Sequence, residues 1–158
     1  MSNRTEDLLN LKCVIKLYDK ICSSVCDKYK ITKLELDIIA FLNNNPGRDT
    51  ASDIVELRML PKANVSQAVE ALIKKGFLIR KQDENDRRRI HLELTKKDNL
   101  IIKDIEEVQK NFESILFKGF LDEDRSLYRK MNKRISSNAF DELISITHEE
   151  TNSKRGDK

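Results

Sequence analysis

The chain has no tryptophan, and its 158 residues include only four glycines, two prolines, three cysteines and two histidines. Each shortage closes off a class of function. Three cysteines are an odd number, and they argue against a disulfide framework. Cys22 and Cys26 lie four apart on one helical face, but no histidine or third cysteine nearby completes a metal set, so no metal is expected. His91 alternates with Ile90 and Leu92 on a strand-like stretch and is expected to point to the solvent or DNA side. His148 falls at the end of the last helix. Neither histidine belongs to a triad or a ligand pattern. With no glycine-rich phosphate loop and no nucleophile–base pair, neither enzyme chemistry nor a cofactor is expected. The longest apolar run, Ile38–Leu42, is far too short to span a bilayer, so no membrane partner is expected. MSNRTEDLLN at the N-terminus contains no apolar segment of the secretory kind, which makes the cytoplasm the expected compartment. The few aromatics, three tyrosines and six phenylalanines, make an aromatic-lined pocket less obvious.

Charge is abundant, and its placement says more than its sum. A net charge of +3 is too small to argue for nucleic-acid binding by itself. Between Arg80 and Lys97, however, lie Arg80, Lys81, Arg87, Arg88, Arg89, Lys96 and Lys97, set against Asp83, Glu84, Asp86 and Glu93. Acidic residues gather elsewhere, in 104–107, 122–124 and 141–142. A local basic tip on an otherwise balanced surface is an electrostatic footprint for phosphate.

The stretch from Pro61 to Thr95 gives that tip a setting. PKANVSQAVEALIKKG reads as an amphipathic helix, with Pro61 at its first position and Gly76 just past its end. Val65, Ala68, Val69, Leu72 and Ile73 make the apolar face, and Lys62, Asn64, Ser66, Gln67 and Lys74 are left outward. Amides, a hydroxyl and amines suit base edges and phosphates. FLIRKQ and IHLELT read as two strands around a charged turn carrying Asp86, Arg87, Arg88 and Arg89. A groove-sized helix followed by an arginine-tipped hairpin is the layout of a winged helix-turn-helix.

The rest of the chain is helical. Residues from about Thr5 to Tyr29 carry apolar side chains at helical spacing. Thr32 and Glu35 form a capping-box pattern, with Ile31 and Leu36 placed as its hydrophobic staple. This second helix is stopped by Asn43-Asn44-Asn45-Pro46-Gly47. Thr50 and Asp53 cap a short third helix. After the hairpin, Ile101, Ile105, Val108, Phe112 and Ile115 recur in a heptad-like seam that calls for another long helix as partner. Gly119 breaks this run, and a last helix begins near Asp122 with Leu127, Met131, Ile135, Leu143 and Ile144. The fold expected is mainly α with a small β-hairpin wing: a winged helix-turn-helix plus a helical dimerisation region.

From about Ile31 to Thr95 the chain resembles the MarR family of bacterial transcriptional regulators, and the order of elements matches over nearly its whole length. Asp86-Arg87-Arg88 followed by Leu94-Thr95 is similar to the family's wing pattern, and Asn64-Val65-Ser66, Leu72 and Lys75-Gly76 to its recognition helix. The resemblance implies one domain over 1–148. Within it, 31–95 would be the DNA-binding lobe, and 1–30 and 96–148 the helical dimerisation lobe; beyond it, the polar segment 149–158 (EETNSKRGDK) is expected to be a tail without structure. It implies a homodimer on a pseudo-palindromic operator in double-stranded DNA, with a repressor's role and affinity modulated by a small-molecule effector. Lys62, Asn64, Ser66 and Gln67 would face the major groove. Arg88 would enter the minor groove, flanked by Arg87 and Arg89 near the backbone. Dimerisation would use Ile105, Val108, Phe112, Ile115, Leu127, Met131 and Ile135.

Three positions depart from the family pattern. The turn before the recognition helix, often glycine-bearing, reads Leu57-Arg58-Met59-Leu60; Gln67 stands where arginine is frequent; and Lys96-Lys97-Asp98 lacks the usual glycine. Two alternatives remain at this point. One is a winged-helix interaction module that does not read DNA, which would have no reason to keep three arginines at its tip. The other is a cysteine-based redox sensor, because a branch of the family senses hydroperoxides through a first-helix cysteine and Cys13 lies in that helix. All three cysteines lie on or beside the helix's apolar stripe, where burial suppresses the thiolate.

Overall fold

The computed structural model describes residues 3–96 and 99–156, with side chains described for 5–96 and 99–147. The order is α1 (Asn3–Tyr29), α2 (Lys33–Asn44), α3 (Ala51–Leu57), α4 (Lys62–Lys75), β1 (Leu78–Gln82), β2 (Ile90–Leu94), α5 (Asn99–Leu116) and α6 (Asp122–Gly156). The chain forms two compact units, residues 1–114 and residues 115–158.

Local chemistry sets most boundaries in the first unit. Thr32 Oγ1 accepts the Glu35 N–H at 3.2 Å, and a Glu35 carboxylate oxygen accepts the Thr32 N–H at 2.9 Å, completing the capping box of α2. Ile31 and Leu36, the two halves of its staple, are both buried. Asn45 closes the far end by donating its side-chain amide to the Phe41 carbonyl, and Gly47 takes the turn at φ +84°. Thr50 and Asp53 repeat the capping box at α3. Pro61 falls one residue earlier than expected, as the cap of α4 rather than its first helical residue. Its fixed φ suits either position, and it has no N–H to leave unpaired. At the other end Gly76 adopts φ +78°, and the Phe77 N–H reaches back to the Leu72 carbonyl at 2.9 Å, a Schellman-type stop.

The core of this unit joins the second half of α1 to α2, α3, α4, both strands and the start of α5. Leu36, Ile38, Ile39, Ile54, Val65, Leu72, Leu78 and Ile101 are its fully buried centre. β1 and β2 pair antiparallel from Leu78↔Leu94 to Gln82↔Ile90. A bridge from Thr50 to His91, with the Leu92 N–H on the Asp49 carbonyl at 2.7 Å, adds the entry to α3 as a third edge.

The seam on α5 divides. Ile101 and Ile105 are buried in the chain's own core, Val108 and Phe112 are half-buried, and Phe112 packs at a 59° tilt against Tyr18, 4.9 Å between centroids. Ile105, expected to serve dimerisation, is therefore already covered within its own chain. Sequence periodicity reports that a face is apolar but not which surface covers it.

The second unit has a small aromatic cluster of its own. Phe117 packs edge-on against Phe120 and Tyr128, with the Arg125 guanidinium over its ring. Gly119 turns at φ +84°, and the Leu121 N–H donates to the Asp124 carboxylate at the start of α6. That helix continues through Gly156, so residues 149–156, expected to lack structure, extend it. The segment EETNSKR holds no proline or glycine, and an established helix adds residues at little cost. Residues 157 and 158 lie outside the described residues. Along α6, Leu127, Met131, Ile135, Leu143 and Ile144 are exposed, as are Leu8, Leu11 and Ile15 on α1.

Candidate nucleic-acid interface

α3 and α4 form the helix-turn-helix, joined by a turn in which Met59 takes φ +49°. That left-handed conformation is one a glycine would adopt without cost. α4 buries Val65, Ala68, Val69 and Leu72 and leaves Lys62, Asn64, Ser66, Gln67 and Lys74 exposed, as expected from the sequence. At 100° per residue, Gln67, Glu70 and Lys74 run along the ridge opposite the buried face, with Asn64 and Ser66 on its two flanks. Glu70 was not foreseen in this place. Arg80 of β1 pairs with it, holding its carboxyl below the usual carboxylate range and offsetting a charge that would repel phosphate.

The wing tip is an ordered turn. Asp83 Oδ1 accepts the N–H groups of Asn85 and Asp86 at 2.7 and 2.8 Å. Asp86 accepts the Arg88 N–H on its carboxylate at 3.0 Å and the Arg89 N–H on its carbonyl at 2.9 Å. Gln82 donates its side-chain amide to the Arg87 carbonyl at 3.0 Å. Asp86, singled out as a wing residue from the sequence, thus holds the turn. The arginines it orders are all exposed, and among the described residues none of their guanidiniums pairs with a carboxylate. Lys96 is exposed; Lys97 lies outside the described residues.

Two joints tie this wing to the rest of the lobe. Thr95 Oγ1 donates to the Gly76 carbonyl at 2.9 Å, and the Thr95 N–H to the Phe77 carbonyl at 3.2 Å, so the end of β2 closes onto the cap of α4. His91 is expected on the solvent or DNA side. It does lie opposite the buried Leu92, but its ring is enclosed between two carboxylates: Nδ1 stands 2.7 Å from Asp49 and Nε2 2.9 Å from Asp83. Hydrogen bonds to Asp83 and then Asp49 raise its pKa, and the bond from His91 holds Asp83 well below the usual carboxylate range. Two carboxylate partners, 8 and 42 positions away, leave no pattern that sequence reading could find.

Comparison with known proteins supports the layout. A model described as the MarR family matches residues 29–89, from the end of α1 to the wing tip. The transcriptional regulator PecS of Dickeya dadantii is 28% identical over 127 residues, covering 79% of this chain and 76% of PecS. A MarR protein from Peptoclostridium difficile superposes with a TM-score of 0.76 at 24% identity, covering 92% of each chain. The match to the MarR family of transcriptional regulators spans α2, α3, α4, β1 and the arginine turn. A further MarR-family structure, from Listeria monocytogenes and complexed with 26mer DNA, has a TM-score of 0.78 at 17% identity over 89% of this chain and 93% of that one. Gln67, which departs from the family pattern, stands on the exposed ridge of α4. No helix among the described residues is long and apolar enough to cross a membrane.

The cysteines separate by environment. Cys22 is fully buried and Cys26 half-buried, and desolvation pushes both thiols up. Cys13, expected on or beside the buried stripe, is exposed, because α1 leaves the core over its first half and the stripe there faces outward. A hollow of about 370 Å³ lies beside the half-buried Tyr18 and Phe112, with Lys33, Arg58, Asp19 and Asp37 on its walls. Lys33 pairs with Asp37 at 2.6 Å and Asp19 at 3.4 Å, and Arg58 with Asp37 at 3.4 Å.

Proposed function

We propose that this chain binds double-stranded DNA as a homodimer, seating two copies of α4 in successive major grooves of a pseudo-palindromic operator and two wings in the flanking minor grooves. The observation that carries this reading is the wing tip: Arg87, Arg88 and Arg89 are exposed, held by an ordered turn and free of carboxylate partners, on a lobe whose adjoining helix exposes Asn64, Ser66 and Gln67. Guanidiniums without internal partners are available to phosphates and to the negative potential of a narrow minor groove. Asn64, Ser66 and Gln67 would discriminate bases, and Lys62 would hold the backbone. A dimer is supported by the exposed apolar residues on each unit, Leu8, Leu11 and Ile15 in one and Ile115, Leu127, Met131 and Ile135 in the other. Patches of that kind are uncommon on monomers. Ile105 takes no part, and Val108 and Phe112 would contribute only their exposed edges.

Such a dimer on a promoter would act as a repressor by occupancy. The hollow beside Tyr18 and Phe112 is the candidate effector site, and its two cations suit a small organic anion that competes with Asp37 for Lys33 and Arg58. Selection of bound sites from random DNA tests the whole reading. A symmetric motif with half-sites about one helical turn apart is expected. Recovery of no enriched motif by a protein that sediments as a folded dimer would overturn DNA readout and leave an interaction module.

A further inference from the structure

The His91 cluster is a charged constellation in the DNA-binding lobe that the proposed contacts do not use. Its geometry carries chemical information. A carboxylate oxygen only accepts hydrogen bonds, so an imidazole bonded to a carboxylate on each side must donate from both nitrogens, and only the imidazolium can do so. In a neutral ring one nitrogen presents a lone pair to a carboxylate oxygen within 3 Å, which repels.

The two carboxylates belong to separate parts of the lobe. Asp49 lies in the segment entering α3, where its carbonyl also accepts the Leu92 N–H. Asp83 follows β1, and while Oδ2 takes the His91 bond, Oδ1 holds the N–H groups that shape the arginine turn. The ring therefore connects the turn presenting Arg87–Arg89 to the body of the helix-turn-helix. We infer that His91 is a positioning residue: bridging Asp49 and Asp83 as an imidazolium, it latches the wing in its DNA-binding pose and makes DNA affinity depend on pH. This inference rests on the reading of the wing as a DNA-binding element.

The surroundings fix the direction. Besides Asp49 and Asp83, the hollow around the ring is lined by Glu84 from the tip, Glu93 from β2 and Lys81 from β1, and Lys81 is paired with Glu93 at 3.2 Å. Negative charge predominates and favours the imidazolium. A histidine whose folded pKa is raised keeps its bonds at and below the ordinary imidazole range and loses them as pH climbs through the raised value. The latch is thus closed in acid-to-neutral conditions and opens on the alkaline side. Loosening the tip costs affinity because its arginines must then be reordered on DNA.

The positive charge of an imidazolium near DNA would by itself strengthen binding at low pH, and Asp49→Asn separates the two causes. It removes a negative charge, so simple electrostatics requires tighter binding. The latch requires weaker binding, by about tenfold for the loss of one charge-assisted hydrogen bond, and a pH midpoint displaced downward. The experiment is operator affinity at fixed salt from about pH 6 to about pH 9, spanning the imidazole range, for the full-length wild type, Asp49→Asn, Asp49→Glu, His91→Gln and Arg88→Ala. Nitrogen NMR of the His91 ring in the DNA-free protein accompanies it.

Wild-type affinity is expected to fall as pH rises, in step with loss of the His91 proton. His91→Gln should give a flat profile at the weak limit, and Asp49→Glu should restore part of the wild-type profile. Tighter binding by Asp49→Asn, parallel profiles for wild type and His91→Gln, or a His91 midpoint that Asp49→Asn does not lower would each overturn the latch. Failure of the underlying reading looks different: Arg88→Ala would then bind as well as wild type at every pH.

Discussion

Lys75 is the last residue of α4, and its ammonium closes the junction of three helix ends. It donates to a Glu35 carboxylate oxygen at 2.6 Å, at the start of α2, and to the Lys30 carbonyl at 2.9 Å, where α1 ends with φ +56°. Glu35 is the only charged side chain among the described buried residues, at 4% exposure, whereas the Lys75 side chain is 35% exposed. Lys75→Met keeps the aliphatic stem and deletes the charge, leaving the buried carboxylate with the Thr32 N–H at 2.9 Å. Loss of a hydrogen bond between charged groups costs about 1.5–3 kcal/mol, and breaking a buried ion pair up to about 5. Water reaching the exposed end of Lys75 lowers that, so about 2–3 kcal/mol is expected. The assay is urea unfolding at neutral pH and fixed protein concentration, with an unchanged m-value as the sign that only stability moved. Glu35→Gln combined with Lys75→Met should recover roughly half the loss, because glutamine retains the capping box without stranding a charge. A loss below about 0.5 kcal/mol for Lys75→Met, or a double variant as unstable as the sum of the singles, would refute the reasoning.

Other outcomes follow from the same geometry. Met59→Gly should stabilise by about 0.5–1 kcal/mol, since relief of a left-handed residue worth about 1–2 exceeds the backbone entropy of glycine, and the exposed Met59 side chain sacrifices little packing; a thermal melt at or below wild type would contradict it. Arg88→Ala should weaken operator binding by roughly 1–3 kcal/mol and flatten the salt dependence, and filter or fluorescence titration at several salt concentrations checks both. Met131→Asp, on the exposed face of α6, should convert the dimer to monomer in sedimentation, with helix content retained; a dimer that persists would move the interface off α6. Cys22 should resist a thiol reagent until the protein unfolds, whereas Cys26 should react at an intermediate rate, as mass spectrometry of timed labelling would reveal.

What the sequence displayed was mostly local. Both capping boxes, the glycine stop at Gly76, the turn at Pro46-Gly47 and the outward face of α4 depend on residues within a turn or two of one another, and all appear where the pattern put them. What escaped depends on distance in sequence. Ile105 and Ile115 sit in the same heptad-like seam, yet one is buried by its own chain and the other is exposed, because periodicity carries no information about the covering surface. Cys13 and Cys22 share a helix in the same way, and only the point at which α1 leaves the core separates them. His91 read as a solvent-facing strand residue by alternation, and alternation was right about the face. Nothing in IHLELT announces that Asp49 and Asp83 wait there.

The Leu94-Thr95 pair shows why a pattern can be legible before its reason is. Thr95 closes the wing by donating its hydroxyl to the Gly76 carbonyl, and Gly76 is also the residue whose left-handed conformation ends α4. The recognition helix and the returning strand of the wing thus share one joint. At the opposite end of the hairpin, Asp83 and His91 tie the tip to the segment that caps α3. Each half of the helix-turn-helix is therefore bonded to a different end of the wing. A shift of α3 relative to α4 is then expected to strain or release the hairpin through these hydrogen bonds. Thr95→Val, which keeps the shape and removes the hydroxyl, should uncouple them: wing and helix would each remain folded, and protection from hydrogen exchange at Arg87–Arg89 would cease to depend on what happens at α4. Unchanged coupling in that variant would refute a role for the Thr95 hydroxyl in the joint.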